Sequence, residues 1–405
     1  MRNKIISQLK IPKVLAGAFI LALILPQSVY AAELPVLPNT AAPAHSITIN
    51  SKASLLMEAD TGKVLLETNP HEPLAPASVT KVMTMLLIYE AIEQERISWD
   101  QIVTVSEHAA SMGGSQIFLA PEEQQTVRDL VKSIVIASAN DAAVAMAEFL
   151  AGSEEAFVQQ MNKRAAELGM KNSHFKNACG LDADGHLTSA YDIALMTREL
   201  INNHPQVFDF AKIRLDKIIH KTRKGEEEFG LTNTNRLIRS YPGATGLKTG
   251  STSEALFCIS ATAEKDGMSL IAVVLGAPDP TVRFDSAMKL FDYGYAHYSI
   301  NPQEPEGTVM GEVTIYKGKA EKAQAVVRDQ QHVLVPKGKH ISINSQIQLV
   351  ESLNAPVSKG SKAGEVIYTH DGAEVGRGDL VIQEDIEKAE VQDMMKRVFV
   401  RWLLK

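Results

Sequence analysis

The 405-residue sequence predicts a mixed α/β (α+β) chain. The expected order is an antiparallel sheet flanked by helices and interrupted by a large helical insertion, then a small all-β domain, then one amphipathic helix. Three observations lead there. Strand-like runs occur at 54–57 and 63–66 and return after Gly243, with helical patterning from 76 to about 203 between them. From 307 to 382 the pattern changes to short alternating runs, several of them separated by glycine turns. The last twenty residues carry apolar side chains at helical spacing on one side only.

Residues 1–31 read as an export signal. Arg2, Lys4, Lys10 and Lys13 precede a short apolar run at 14–25, and Val29-Tyr30-Ala31 brings small residues to the cleavage positions, with the cut expected between Ala31 and Ala32. The run is well short of the ~20 apolar residues that a spanning helix needs. Residues 32–48 are rich in Ala and Pro and read as a linker. The main domain is expected over 49–298. Its first two strands meet at an Asp60-Thr61-Gly62 turn. Residues 82–92 are apolar nearly all round, which predicts a buried helix, and 130–150 reads the same way. Helical periodicity over 191–202 has Thr188 or Ser189 as its N-cap. Strands are expected at 246–249, 255–262 and 269–275, the last two joined by a hairpin at Lys265-Asp266-Gly267, and a helix follows over 280–295.

The all-β domain is expected over 299–384, with strands such as 312–316, 333–335, 346–350 and 379–382. It gathers no nucleophile, base and acid, so it reads as a spacer or docking module. In 385–405, Val391, Met394, Met395, Val398, Phe399, Trp402 and Leu403 share one helical face, with Lys396, Arg397, Arg401 and Lys405 opposite. The length and charges exclude spanning. Such a helix suits the plane of a membrane surface; the alternative is a helix docked on its own domain.

Composition narrows the function. The formal net charge is −7, and removal of the four cations in 1–31 makes it −11, which argues against a nucleic-acid partner. Cys179 and Cys258 are the only cysteines, and Cys258 lies in an apolar run, so two free thiols are expected. No metal spacing and no cofactor motif occur. His71-Glu72 is followed by Pro73, and Gly246 by Leu247 rather than lysine, which removes a helical zinc motif and a phosphate loop. His108, His174 and His186 read as structural or solvated, and no nucleophile elbow supports a Ser-His-Asp triad.

Three short motifs carry the chemistry: Ser78-Val79-Thr80-Lys81, Ser138-Ala139-Asn140 and Lys248-Thr249-Gly250. Pro76-Ala77-Ser78 sits at an expected helix start, where unpaired backbone N–H groups and the helix dipole stabilise an oxyanion. Lys81, three residues on, shares a face with Ser78. A lysine base must first lose its charge. At pH 7 an ordinary lysine is neutral in roughly one molecule per 2,500, and lowering its pKa by about three units takes about 4 kcal/mol. Apolar neighbours desolvate it. Lys248 adds like charge, worth about 4 kcal/mol at ~4 Å and an effective dielectric near 20. The two would titrate as a pair. Ser138 and Asn140 fall inside the run 134–145 and need polar partners there. Lys248-Thr249-Gly250 ends a strand whose edge can pair with an extended peptide, with Lys248 and Thr249 able to bind a terminal carboxylate and Gly250 admitting close approach.

With these motifs and their context in Leu74-Ala75-Pro76-Ala77-Ser78, in the run Ala109-Ala110-Ser111-Met112-Gly113-Gly114-Ser115-Gln116 and in Thr188-Ser189-Ala190-Tyr191-Asp192, the chain from about 49 to 384 resembles the D-alanyl-D-alanine carboxypeptidases. These are the low-molecular-mass penicillin-binding proteins, and the wider context closely resembles their DacF-type, sporulation-associated members. The resemblance implies a β-lactamase/transpeptidase-like domain and a peptidoglycan pentapeptide ending in D-Ala-D-Ala as substrate. It implies that Ser78 is acylated, that Lys81 is the general base, that Ser138 and Asn140 assist proton transfer and positioning, and that Lys248 and Thr249 bind the carboxylate. It also implies an oxyanion hole from the N–H groups of Ser78 and Ser251, and an arginine, Arg283, supporting carboxylate recognition. β-Lactams are the implied covalent inhibitors, and the outer face of the cytoplasmic membrane the implied location. Ala139 stands where many members have glycine, and Ser251 where several have histidine. The rival readings are a serine β-lactamase, for which no deacylating glutamate is placed, and a non-catalytic β-lactam sensor or wall scaffold.

Overall fold

The computed structural model describes residues 47–222, 225–338 and 341–403. The expected signal, most of the linker and Lys405 lie outside the described residues. The main sheet is antiparallel. Its strands are β1 (Ala53–Glu58), β2 (Val64–Thr68), β5 (Ala244–Thr252), β6 (Leu256–Lys265) and β7 (Met268–Ala277), in the order β2-β1-β7-β6-β5, and β3 (Leu215–Thr222) and β4 (Gly225–Thr232) form a separate hairpin. Strand β5 is therefore an edge. It runs nine residues, longer than the 246–249 read from sequence, because it pairs with β6 from Ala244 to Thr252. The β6–β7 turn holds Asp266 and Gly267 at φ of 53° and 74°, the pair of left-handed residues that a two-residue hairpin requires.

The insertion contains α1 (Lys81–Glu93), α2 (Val127–Ile136), α3 (Asn140–Ala151), α4 (Glu154–Glu167) and α5 (Ala190–Asn203). Helix α1 is buried over almost its whole circumference, as its unbroken apolar sequence requires, and Lys81 is buried with it. Ser189, one of the two expected caps, accepts the Asp192 N–H at the start of α5. The stretch 130–150 is not one helix. Helix α2 ends at Ile136, and Ser138 takes φ +62°, which a right-handed helix cannot accommodate. Ala137 and Ala139 N–H both turn back to the Ser133 carbonyl, and α3 begins at Asn140. The Ser138-Ala139-Asn140 motif thus occupies a break between two helices and not the body of one. Helix α6 (Pro280–His297) covers the sheet, capped by the Asp279 carboxylate with Pro280 in its first turn.

The chain passes from α6 directly into β8 (Tyr298–Pro302). The next strands are β9 (Val309–Tyr316), β10 (Lys322–Val327), β11 (His332–Pro336), β12 (Asn344–Leu349), β13 (Ser352–Asn354), β14 (Lys362–His370) and β15 (Ala373–Ile382). Six of them form one sheet, ordered β12-β14-β15-β10-β9-β13, around a core that includes Val313, Val366, Tyr368 and Leu380. The entry into the all-β domain expected from residue 299 is itself a paired strand, since β8 pairs antiparallel with β11. Helix α7 (Val391–Leu403) closes the chain with Val391, Met395, Val398, Phe399 and Trp402 exposed. Arg397, expected on the basic face of this helix, donates to the Gly318 and Lys319 carbonyls and lies 3.7 Å from Glu321. Among the described residues no helix is long and apolar enough to cross a membrane.

Candidate active site

Ser78 lies in a 3-10 turn, Ala77–Thr80, that leads into α1. The helix start read from sequence is there, tightened by one turn. Ala77 sits at φ +49°, a strained value for a residue with a Cβ. Ser78 is half-buried, and Lys81 beneath it is fully buried. Lys81 Nζ has three oxygen neighbours: Ser78 Oγ at 3.0 Å, Asn140 Oδ1 at 2.5 Å and the Cys179 carbonyl at 2.7 Å. An ammonium spends all three protons on them. After losing one proton, two N–H groups can stay on Asn140 Oδ1 and the Cys179 carbonyl, and the lone pair is left facing Ser78 Oγ. The site is therefore shaped for either protonation state, and the neutral one is a base aimed at the serine.

Burial pushes the Lys81 amine down to about 8, against the opposing pull of Cys179 and Asp141. Roughly a tenth of the molecules are then neutral at pH 7, against one in ~2,500 for an ordinary lysine. Lys248 is also fully buried and held well below the ordinary lysine value, by desolvation first and then by repulsion from Lys81 and Arg283. Its Nζ donates to Ser138 Oγ and to the Thr249 carbonyl, both at 2.8 Å. The left-handed turn at Ser138 is what presents that hydroxyl to Lys248 from across the cleft.

Asn140 is held on both sides. Its backbone N–H donates to the Ser115 carbonyl and its Nδ2 to the Gly113 carbonyl, both at 2.7 Å. Asp141, the next residue, accepts from the Ile117 and Leu119 N–H groups, so the two side chains pin the 113–119 loop beside the lysine. On the other flank, a Cβ added to Gly250 would lie 2.8 Å from the Ser78 nitrogen, so the close approach this glycine permits is to the serine backbone itself. Ser251 is exposed at the strand edge. Arg283 is buried behind β5. It donates to the Gly250 carbonyl at 3.0 Å, reaches the Cys258 carbonyl at 3.3 Å and stacks on Phe284 and Phe257. The structure thus gathers Ser78, Lys81, Ser138, Asn140, Lys248, Thr249 and Gly250, with Ser251 following on the strand and Arg283 behind it.

Several contributors escaped the sequence reading. The Cys179 carbonyl is a backbone group and leaves no residue signature. Its loop is ordered by Asn177, whose Oδ1 accepts the N–H groups of Cys179, Gly180 and Leu181 at 3.3, 2.6 and 3.2 Å. His186 belongs to the same support. The Lys176 N–H donates to its Nδ1, so the proton sits on Nε2, which meets Thr80 Oγ1 at 2.8 Å. Burial holds this imidazole down to about 4, hence neutral. Thr234, whose Oγ1 takes the Thr249 hydroxyl proton at 2.7 Å, lies in no motif. Cys179 and Cys258 are both free and buried, and among the described residues no His, Cys, Asp or Glu cluster suits a metal ion.

Residues 39–279 match the family profile described as D-alanyl-D-alanine carboxypeptidase. The chain belongs to the D-alanyl-D-alanine carboxypeptidase family. Residues 304–388 match the C-terminal domain of penicillin-binding protein 5. The carboxypeptidase DacF of Bacillus subtilis is 43% identical over 353 residues, covering 87% of this chain and 90% of that relative. DacA of Escherichia coli is 31% identical over 372 residues, covering 87% and 89%. Among solved structures, penicillin binding protein 5 from Haemophilus influenzae superposes with a TM-score of 0.68 at 29% identity, covering 85% of this chain and all of that one. The peptidoglycan synthesis regulatory factor PBP3 from Streptococcus pneumoniae gives 0.70 at 28%, covering 84% and 100%. The chain is accordingly a serine-type peptidase of this carboxypeptidase family with an α/β transpeptidase-like fold.

Two outcomes follow from the geometry. A Cβ on Gly180, at φ +85°, would fall 1.9 Å from the Ala77 carbonyl. Gly180→Ala should therefore lower the unfolding free energy by about 1–3 kcal/mol in urea titrations, with a steeper loss of β-lactam acylation as the serine turn is displaced. Asp141→Asn removes the carboxylate whose pull opposes burial at Lys81. In stopped-flow acylation the acid limb near pH 8 should move to lower pH.

Proposed function

We propose that the protein trims the terminal D-alanine from peptidoglycan pentapeptides through a Ser78 acyl-enzyme. The observation that carries this is the fully buried Lys81 amine, 3.0 Å from Ser78 Oγ with its other two neighbours both acceptors. The peptide pairs with the open edge of β5. Lys81 takes the Ser78 proton as Oγ adds to the carbonyl of the penultimate D-alanine. The N–H groups of Ser78 and Ser251 receive the oxyanion. Ser138, bonded to Lys248, relays the proton taken up by Lys81 to the amine of the departing D-alanine as the C–N bond breaks, which leaves Lys81 neutral. Water then adds to the acyl carbon, Lys81 accepts one of its protons and returns it to Ser78 Oγ as the ester bond breaks, and the shortened peptide leaves as a carboxylate. Lys248 and Thr249 bind the terminal carboxylate. Arg283 supports that contact from behind, by fixing the Gly250 carbonyl and hence the line of β5.

β-Lactams acylate the same serine, because their strained amide occupies the place of the D-Ala-D-Ala bond. The likeness to DacF-type members carries the proposal further, to wall trimming during sporulation. An export signal and the exposed apolar face of α7 support a location at the outer face of the cytoplasmic membrane, with α7 lying in the surface and Arg397 tying it to the β domain.

Ser78→Ala should abolish both release of D-alanine from a pentapeptide and labelling by fluorescent penicillin, with the thermal unfolding profile retained; persistence of either activity would exclude Ser78 as the nucleophile. For the surface helix, truncation belongs after Glu390, because Ile386 and Lys388 still bridge to Val357 and Gly318. Removal of 391–405 should shift the protein from anionic vesicles to the supernatant in sedimentation, with turnover of a soluble pentapeptide maintained. Undiminished vesicle binding would assign the anchor to another surface.

A further inference from the structure

After β4 the chain returns to the cleft through Asn233-Thr234-Asn235-Arg236 before a short helix, Leu237–Ser240. The segment is firmly seated. Asn233 Nδ2 donates to the Ala211 and Ile213 carbonyls at 3.0 and 2.8 Å, and the Thr234 N–H donates to the Ile136 carbonyl at 3.2 Å, next to the helix break that carries Ser138. Asn235 is buried, with its Oδ1 accepting from the Leu237 N–H. The Thr249 hydroxyl donates to Thr234 Oγ1 at 2.7 Å. Thr249 therefore reaches an outward acceptor through Thr234, whose exposed hydroxyl keeps its own proton to donate.

Three basic residues gather near Thr249. Lys248 and Arg283 are buried, Arg236 is exposed, and none of the three forms an ion pair with a carboxylate among the described residues. Arg283 Nε is buried with no acceptor. Arg236 lies near enough to Arg283 to add to the desolvation that holds that guanidinium down to about 10. Cations assembled around two coupled hydroxyls, with no internal counter-charge, suit an anion. The substrate proposed above brings one: its terminal carboxylate lies one residue beyond the bond that Ser78 attacks.

We propose that Thr234 and Arg236 form the outer half of the carboxylate subsite, the Thr234 hydroxyl donating to one carboxylate oxygen and the Arg236 guanidinium facing the other, and that they set the enzyme's demand for a free C-terminal acid. The assignment rests on the acyl-transfer reading of Ser78. It makes Thr234 and Arg236 specificity residues outside the three motifs, with no part in proton transfer.

The test compares two peptidyl thioesters that share an acyl-D-alanyl part, one with a carboxylate on its leaving thiol and one with an uncharged thiol. Wild-type protein should prefer the acid. In Arg236→Gln and Thr234→Val the ratio of the two kcat/KM values should fall about threefold to tenfold, chiefly through KM for the acid, and Arg236→Lys and Thr234→Ser should recover most of it. Raising the salt concentration should erode the preference in wild type more than in Arg236→Gln. If wild type prefers the acid and neither Arg236→Gln nor Thr234→Val alters the ratio, or both thioesters slow in parallel, the subsite assignment is overturned and the acyl-transfer reading stands. If wild-type protein releases thiol from neither thioester, the acyl-transfer reading fails first, and the subsite assignment falls with it.

Discussion

A lysine amine held in a dry interior is the constraint around which the catalytic domain is organised. Lys81 is fully buried, yet its three neighbours come from three separate parts of the chain: the serine turn, the α2–α3 break and the Asn177–Gly180 loop. Each of those parts is in turn fixed by a polar side chain with few alternatives. Asn140 and Asp141 hold the 113–119 loop, Asn177 collects three backbone N–H groups, and His186 reaches Thr80. Positive φ at Ala77 and Ser138 is the backbone signature of the same demand, since each residue is turned out of its helix to place a group at the site.

Holding the amine there has a thermodynamic consequence. The folded value near 8 lies below the ordinary 10.5, so between those pH values the folded chain binds fewer protons than the unfolded chain. Lys81 therefore makes stability rise with pH across that window. Below about pH 8 the folded state carries the whole penalty, about 3 kcal/mol at 1.36 kcal/mol per unit. The core around α1, an apolar helix buried over nearly its full circumference, must offset it. Lys248 adds a second buried cation, and the penalty for two is tolerable because both are held toward neutrality.

What the sequence made legible was short-range. Ser78 and Lys81 are one helical turn apart, and Lys248, Thr249 and Gly250 lie consecutively on a strand, so their relation follows from local geometry. The core helices and the β6–β7 hairpin were legible for the same reason. The α2–α3 break was not, because 134–145 is apolar enough to pass for continuous helix, and only the Ser138 backbone and the carbonyls of the 113–115 loop decide otherwise. The Cys179 carbonyl leaves no side-chain trace at all. His186 reads from sequence as structural or solvated; it is buried, and the sequence gives no sign that what it supports is the serine turn. Thr234 and Arg397 are set by partners 15 and 79 residues away, beyond the reach of any periodicity.

The titration of Lys81 itself tests the central claim most directly. Side-chain NMR of lysine-labelled protein, with Lys81→Arg to assign the resonance, reports the protonation of this one amine without recourse to turnover. A midpoint near pH 8 is the predicted result. A midpoint at or above ~10, the value of a solvated lysine, would contradict a neutral lysine base and would return the role of activating Ser78 to another group.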